Sequence, residues 1–365
     1  MFAIGFVLIF LAIAKGYEPM LLLPIGFGAI LVNLPLQTVW EHEGIPGFLK
    51  IFYDKGIQNE LFPLLIFVAI GAMIDFSPLI KRPKMLFFGA AAQFGIFFTI
   101  LVALALGKGF PDLNIGLKDA AAIGIIGSAD GPTSIYVAQK FSQQFLGPIT
   151  VAAYSYMSLV PIIQPPVIKM LTTKKERRIR MDNRDSQISR IALIIFPIAV
   201  TIVAGIASPQ SVALVGALMF GNLLRACGVL DKLSQSAQNE LSNLVTLFLG
   251  ITIGGTMRAD VFLRPQTLLI MLMGLVAFIF DTAGGVLFAK LMNLFSKHKI
   301  NPMIGAAGIS AFPMSSRIVQ KIAKEEDPTN FILMDAISAN VSGQLGSVIA
   351  GGLILQIVPL LLGGA

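Results

Sequence analysis

The stretch G-I-I-G-S-A-D-G-P-T-S-I-Y, Gly124 to Tyr136, decides how the rest of the chain is read, because it sets one acid, Asp130, among uncharged and mostly apolar residues. A carboxylate isolated in such surroundings is costly. Gly127, Gly131 and Pro132 disfavour a continuous helix, since glycine adds backbone entropy and proline removes a donor and clashes with the preceding turn. The backbone is therefore expected to break around Asp130. Within a bilayer, groups freed by a break must be met by protein or by a water-filled cavity. Carbonyl oxygens, a carboxylate and the hydroxyls of Ser128, Thr133 and Ser134 are hard ligands suited to a small hard cation. A cation or proton site is expected here, against the plainer alternative of a kinked helix carrying a hydrogen-bonded acid.

Composition sets the class. Of 365 residues, 55% are hydrophobic and only 13% charged, about half the charge of a soluble domain. Mean hydropathy is +0.81, and the chain reads as an all-α polytopic membrane protein. A single cysteine, Cys227, excludes an internal disulfide, and two histidines, His42 and His298, leave little scope for zinc. Met1 to Ala14 lacks a basic start and a cleavage site, so it is read as a short first helix rather than a signal peptide. The net charge of +7 fits basic cytoplasmic loops and calls for no nucleic acid.

Apolar segments fall at roughly 2–14, 18–36, 61–80, 84–107, 146–168, 190–207, 211–225, 240–257, 266–290 and 331–360, giving about ten crossings. The mixed segment Gln37 to Glu60 reads as an interfacial amphipathic helix. Residues 172–189, with Lys174, Lys175, Arg177, Arg178, Arg180 and Arg184, form a basic cytoplasmic linker whose charges face lipid headgroups rather than substrate. Alternating sides from that linker puts most of the 27 Lys and Arg residues inside and both termini outside. Two segments rich in Gly, Pro, Ser and Ala fit no crossing, residues 117–140 and 301–321, and are expected to be re-entrant hairpins whose tips meet.

The two hairpins also align. I-G-I-I-G-S-A-D-G-P-T-S from Ile123 and I-G-A-A-G-I-S-A-F-P-M-S from Ile304 share Ile, Gly, Gly, Pro and Ser at equivalent places, about 182 residues apart. Nearly the same offset pairs Ile70-Gly71-Ala72 with Ile253-Gly254-Gly255, and Ala153-Tyr154-Ser155 with Ala336-Ile337-Ser338. The chain therefore reads as a duplication, residues 1–171 and 190–365. Each repeat has about five crossings and one broken hairpin, and an odd number of crossings inverts the second. Asp130 faces Ala311 in this alignment, so the repeats differ where chemistry would sit.

Through these residues the chain resembles the β subunits of sodium-translocating biotin-dependent decarboxylases, which act on oxaloacetate, methylmalonyl-CoA or glutaconyl-CoA. The resemblance covers nearly the whole chain and rests on G-S-A-D-G-P-T-S around Asp130, N-P-M-I-G-A-A-G-I-S-A-F-P-M-S-S-R from Asn301 to Arg317, and N-V-S-G-Q-L-G-S from Asn340 to Ser347. It implies a carboxybiotin decarboxylase of the bacterial cytoplasmic membrane that exports Na+ and consumes a proton. Its implied partners are a biotin carrier domain, a carboxyltransferase α subunit and a small single-span membrane subunit, with a homo-oligomer, a trimer, inside the complex. Asp130 matches the residue that binds Na+ and moves the proton, and Tyr156, lying 26 residues on, matches a functional tyrosine. Asn301, Gly305, Ser310 and Arg317 match functional positions of the second hairpin, and Asn340 a sodium-site asparagine.

The chemistry of these side chains agrees. Arg317 is a natural clamp for the carboxylate of carboxybiotin, with Asn301 and Gly305 beside it. Asp130 and Tyr156 are the available proton carriers, and Asn301, Ser310 and Asn340 offer neutral oxygens to complete a cation shell. No G-x-x-x-x-G-K-[ST] loop occurs, and Lys169 follows Pro165-Pro166 without the context of a biotinyl lysine, so biotin is expected on another chain. From residue types alone, a Na+-coupled carboxylate transporter or Na+/H+ antiporter has the same inverted repeat and buried acid. A structural scaffold would have no use for Asp130.

Overall fold

Every one of the ten apolar segments holds an α-helix in the computed structural model, which describes residues 1–16, 19–181 and 188–363. In chain order they are α1 (Phe2–Lys15), α2 (Pro19–Val32), a short α3 (Phe48–Phe52) and α4 (Leu61–Met73). A broken span follows, α5 (Leu86–Ala92) with α6 (Phe94–Gly109). The first hairpin is α7 (Leu117–Gly124) and α8 (Gly131–Phe141), followed by α9 (Leu146–Leu171). The second half runs α10 (Arg190–Ala207), α11 (Val212–Ala226), α12 (Ser242–Thr256) and α13 (Pro265–Phe295). It ends with a second hairpin, α14 (Met303–Ala306) and α15 (Met314–Glu326), and with α16 (Leu333–Leu361).

Four spans are long and apolar enough to cross a bilayer, Pro83–Gly109, Arg190–Ala207, Pro265–Phe295 and Leu333–Leu361. Two bent pairs raise the number to six: Phe48–Ile57 with Leu61–Met73, bent by 63°, and Gln143–Met157 with Leu159–Leu171, bent by 65°. Pro161 sits just past the second bend, where its ring denies a hydrogen bond to the turn before it. The 14-residue helices α1 and α2 reach only about 21 Å at 1.5 Å per residue, short of a ~30 Å hydrocarbon core.

Small residues let the helices touch. Gly28 on α2 lies so close to α12 that an added Cβ would come within 3.1 Å of the Gly254 Cα, and Gly71 on α4 is packed as tightly against α11. Asparagines close the ends of these pairs: Asn33 donates to the Met257 carbonyl at 2.8 Å, and Asn222 donates to that of Ile74 at 2.9 Å.

Two readings change. The segment from Gln37 to Glu60 is not one amphipathic helix: Glu41–His42 pairs with Ile45–Pro46 in a tight β-hairpin, and a helix begins only at Phe48. Glu43 and Gly44, both at positive φ, make the turn, and Pro46 and Gly47 delay the helix. Three linker arginines, Arg177, Arg178 and Arg180, are engaged by the end of α15 rather than turned to lipid, whereas Lys174 and Lys175 are exposed. Arg177 meets Glu326 at 2.6 Å, Arg180 meets Asp327 at 2.9 Å, and Lys169, on α9 just before the linker, meets Glu325 at 3.0 Å, all three acids lying at or just past the end of α15. Arg184 lies outside the described residues.

Both expected hairpins are broken helices. In the first, α7 tightens into a 3-10 turn at Ile125–Ser128, Ala129 takes a left-handed conformation (φ 53), and Asp130 is extended before α8 starts. In the second, α14 stops at Ala306 and α15 starts at Met314. The tips touch: the Ser310 N–H donates to the Ser128 carbonyl at 3.2 Å.

Candidate cation and substrate site

Asp130 caps α8 from the position just before its first residue, where a carboxylate complements free N–H groups and the helix dipole. Its Oδ1 accepts the Thr133 N–H at 3.2 Å. Its Oδ2 accepts three donors, the Thr133 hydroxyl at 2.7 Å, Ser347 at 2.8 Å and Gln344 at 3.0 Å. Gln344 and Ser347 come from α16, so the first hairpin is held by the last helix of the chain. The acid is buried, 3% exposed, and four donors replace the water it has lost. Each hydroxyl that donates to the carboxylate keeps lone pairs free, so the same groups can also face a bound cation.

One wall of a cavity of about 430 Å³ is made by Asp130, Gly131 and Pro132, and the facing wall by Ser310, Phe312 and Pro313 of the second hairpin. Gln344 and Tyr154 complete its polar lining near the acid. The Ser310 hydroxyl donates to the Gly343 carbonyl at 2.9 Å. Asn340 donates to the Ile309 carbonyl at 2.7 Å, while its buried Oδ1 has no hydrogen-bond partner among the described residues. A buried acceptor without a donor suits a cation, which supplies the positive end that a donor would.

The other expected residues are placed differently. Asn301 lies at the linker, donating to the Arg177 and Ile179 carbonyls at 2.9 Å each and accepting the Met303 N–H, and is thus committed to holding the chain. Gly305 packs on the backbone of Gly285, where a side chain has no room. Arg317 is exposed on α15, one turn beyond Met314, which lines the cavity, and is in no ion pair among the described residues. Tyr156 faces α13: its hydroxyl donates to the Met271 carbonyl at 2.5 Å, and its ring touches the position of Gly274. Two residues earlier on α9, and so on the opposite face, the Tyr154 ring closes over Gly131 inside the cavity.

Sequence reasoning thus missed Gln344, Ser347 and Tyr154. A profile of the family described as "Na+-transporting oxaloacetate decarboxylase beta subunit" matches residues 1–358. This chain is a member of that family. It is 45% identical to the oxaloacetate decarboxylase beta chain of Klebsiella pneumoniae, over 98% of this chain and 94% of that one. It is 49% identical to the glutaconyl-CoA decarboxylase subunit beta of Acidaminococcus fermentans (98% and 92% covered) and 46% to the methylmalonyl-CoA decarboxylase subunit beta of Propionigenium modestum (98% and 94%). As a member of these sodium-transporting decarboxylases, with several apolar spans and bacterial relatives, it is a polytopic protein of the bacterial inner membrane.

Proposed function

We propose that this β subunit decarboxylates carboxybiotin presented by a separate carrier and couples that reaction to Na+ export. The observation that carries the reading is Asp130. One acid stands on a broken helix, ringed by neutral oxygens and facing a cavity whose other wall is the second hairpin. Loss of CO2 breaks the N–C bond of carboxybiotin, leaves the electron pair on the ring nitrogen and requires one proton there. Asp130 supplies that proton when Na+ is absent and holds Na+ when ionised, so cation and proton exclude each other at one carboxylate. Ser310 and Asn340 complete the cation shell, and Arg317 meets the incoming carboxylate at the rim. Tyr156 serves the proton route from behind the break: both its ring and Ile126 of the 3-10 turn bound the space at Gly274. Asn301 and Gly305 act by holding the second hairpin in place.

The partners in this reading are those that the family resemblance implies: a biotin carrier, a carboxyltransferase α subunit that loads it, and a small single-span subunit, in an oligomeric complex. The chain aligns with the glutaconyl-CoA relative over 358 positions and with the oxaloacetate relative over 410, so its length favours an acyl-CoA type of complex.

We also read the fold as two inverted repeats of five crossings and a hairpin. Equal spacing supports this. π-helical turns fall at Tyr53–Ile57 and Ala237–Leu241, spans open at Pro83 and Pro265, and the outer hairpin helices open at Gly131 and Met314. The packing is reciprocal as well, α2 on α12 and α11 on α4.

The deciding experiment measures CO2 release from carboxybiotin by the purified chain in liposomes, with and without Na+, for wild type and Asp130→Asn. Na+-dependent release that is lost in the variant supports the pump. Na+-driven solute uptake or proton exchange without CO2 release would instead make the chain a carboxylate transporter or Na+/H+ antiporter.

A further inference from the structure

A second acid lies in the membrane interior, and no step above uses it. Asp281, in the middle of α13, is fully buried. Its Oδ1 accepts the Ile96 N–H at 3.1 Å. Ile96 is in the first turn of α6, just past the break at Gln93 that divides α5 from α6, so Asp281 caps a half-helix from a neighbouring span. Its Oδ2 has no hydrogen-bond partner among the described residues. That oxygen is aimed at Gly127, where an added Cβ would come within 2.6 Å of it and 2.9 Å of the Ala277 Cβ.

A neutral cap such as serine or asparagine would satisfy one N–H without placing an ionisable group in apolar surroundings. The second oxygen therefore calls for its own account. Gly127 is the residue before Ser128, whose carbonyl ties the two hairpin tips together, and three before Asp130. The acid and the glycine fill one space, between the break in a span and the break in the hairpin. We propose that Asp281 is a positioning residue for the cation site: it wedges the Gly127 turn against α6 and α13 and so fixes where Asp130 and the Ser128–Ser310 tie stand. This rests on the reading of Asp130 as the Na+ acid.

The test is the Na+ half-saturation concentration and the saturated rate of carboxybiotin decarboxylation, measured on the full-length chain in liposomes. Asp281→Ala should raise half-saturation about tenfold, as loss of outer support does at cation sites, while the saturated rate falls much less. Asp281→Asn keeps an oxygen on the Ile96 N–H and should recover most of that loss. Gly127→Ala, which leaves the α6 cap in place, should also raise half-saturation. In the double variant Gly127→Ala/Asp281→Ala the two penalties should be less than additive, because removing the carboxylate relieves the closer of the two contacts that the methyl group makes and leaves only the one with Ala277. Unchanged half-saturation in both single variants, or strictly additive penalties, would overturn the proposal. If Asp281→Ala does not assemble, Asp281→Ser, which also withdraws the carboxylate from Gly127, takes its place, and an unchanged half-saturation there overturns the proposal. If wild type itself shows no Na+ dependence, it is the reading of Asp130 that fails, and this result is distinct from the others.

Discussion

The two hairpins share a plan and differ in one charge. In the first, Asp130 is held by Gln344 and Ser347 of α16. In the second, Gln164 of α9 donates to the Ala306 carbonyl and to Ser315 at 2.7 Å each, and Ser315 donates back to Gln164 at 3.0 Å. Each hairpin is thus clamped by a long helix that follows a hairpin, but only the first clamp ends on an ionisable group. Where the first has Asp130, the second has the buried Ala311. On the proposed reading, a duplicated scaffold needs the clamp twice, whereas a single ion site needs the charge once, and this asymmetry is what the proposal for Asp130 expects.

The largest expected effect removes the charge. Asp130→Asn keeps the cap on Thr133 but cannot exchange a proton for Na+. It should lower Na+-dependent CO2 release by at least about 100-fold, a loss of the size seen when an acid or base is removed from catalysis. Retention of Na+-dependent turnover would break the comparison, because the hairpins would then be chemically equal.

The clamps give the next contrast. Ser347→Ala deletes an oxygen beside the carboxylate and should raise the Na+ half-saturation about tenfold with a modest change in thermal stability. Gln164→Ala removes the amide that bridges Ser315 and the Ala306 carbonyl, leaving those two only their direct hydrogen bond of 3.1 Å. It should cost about 1–3 kcal/mol of stability, read as a lower melting temperature in detergent, with Na+ half-saturation little changed. If the two variants exchanged these signatures, the second hairpin would hold the ion.

A smaller effect separates two tyrosines on one helix. Tyr154 lines the cavity, so Tyr154→Phe should raise the KM for carboxybiotin a few-fold by changing the wall that the substrate meets. Tyr156→Phe removes the hydroxyl from the Met271 carbonyl, and should lower the saturated rate and stability, by about 1 kcal/mol, with KM unchanged. Equal effects on KM would place both rings at the substrate, against the opposite faces they occupy.

Much of this arrangement could be read from residue order. Breaks at Gly127, Gly131 and Pro132 follow from backbone chemistry, and helices from unbroken apolar runs. The clamps could not be read, because Gln164, Gln344 and Ser347 are neutral residues in apolar helices and gain meaning only from what lies opposite. Gln344 and Ser347 lie inside the motif N-V-S-G-Q-L-G-S, yet their residue types alone assign them no role. Asp281 was legible: in F-I-F-D-T-A-G-G, Phe278 to Gly285, it is an acid in an apolar stretch, the criterion that singled out Asp130. What distinguished Asp130 was the broken backbone around it, and Asp281 instead serves a break on another segment. Asn301 shows the reverse case, since a matching residue type cannot say whether an amide faces an ion or the linker carbonyls.

The smallest effect lies at the outer ends of the hairpins. The first is tied down by Lys140 on Glu60 at 2.6 Å, the second by linker arginines on Glu326 and Asp327. Thr329 and Arg180 together hold the Asp327 carboxyl down at about 2. A carboxyl depressed in the folded state adds stability that is fully present above its unfolded pKa, about 3.9, and fades as pH falls through its folded value. The melting-temperature difference between wild type and Asp327→Asn should therefore be constant from pH 8 to about pH 5 and shrink below about pH 4. Because the pair is exposed, salt should reduce the difference as well. A difference that disappeared near pH 6 would assign it to another group, and one insensitive to both acid and salt would show that the second hairpin is anchored by packing alone, unlike the paired linker seen here.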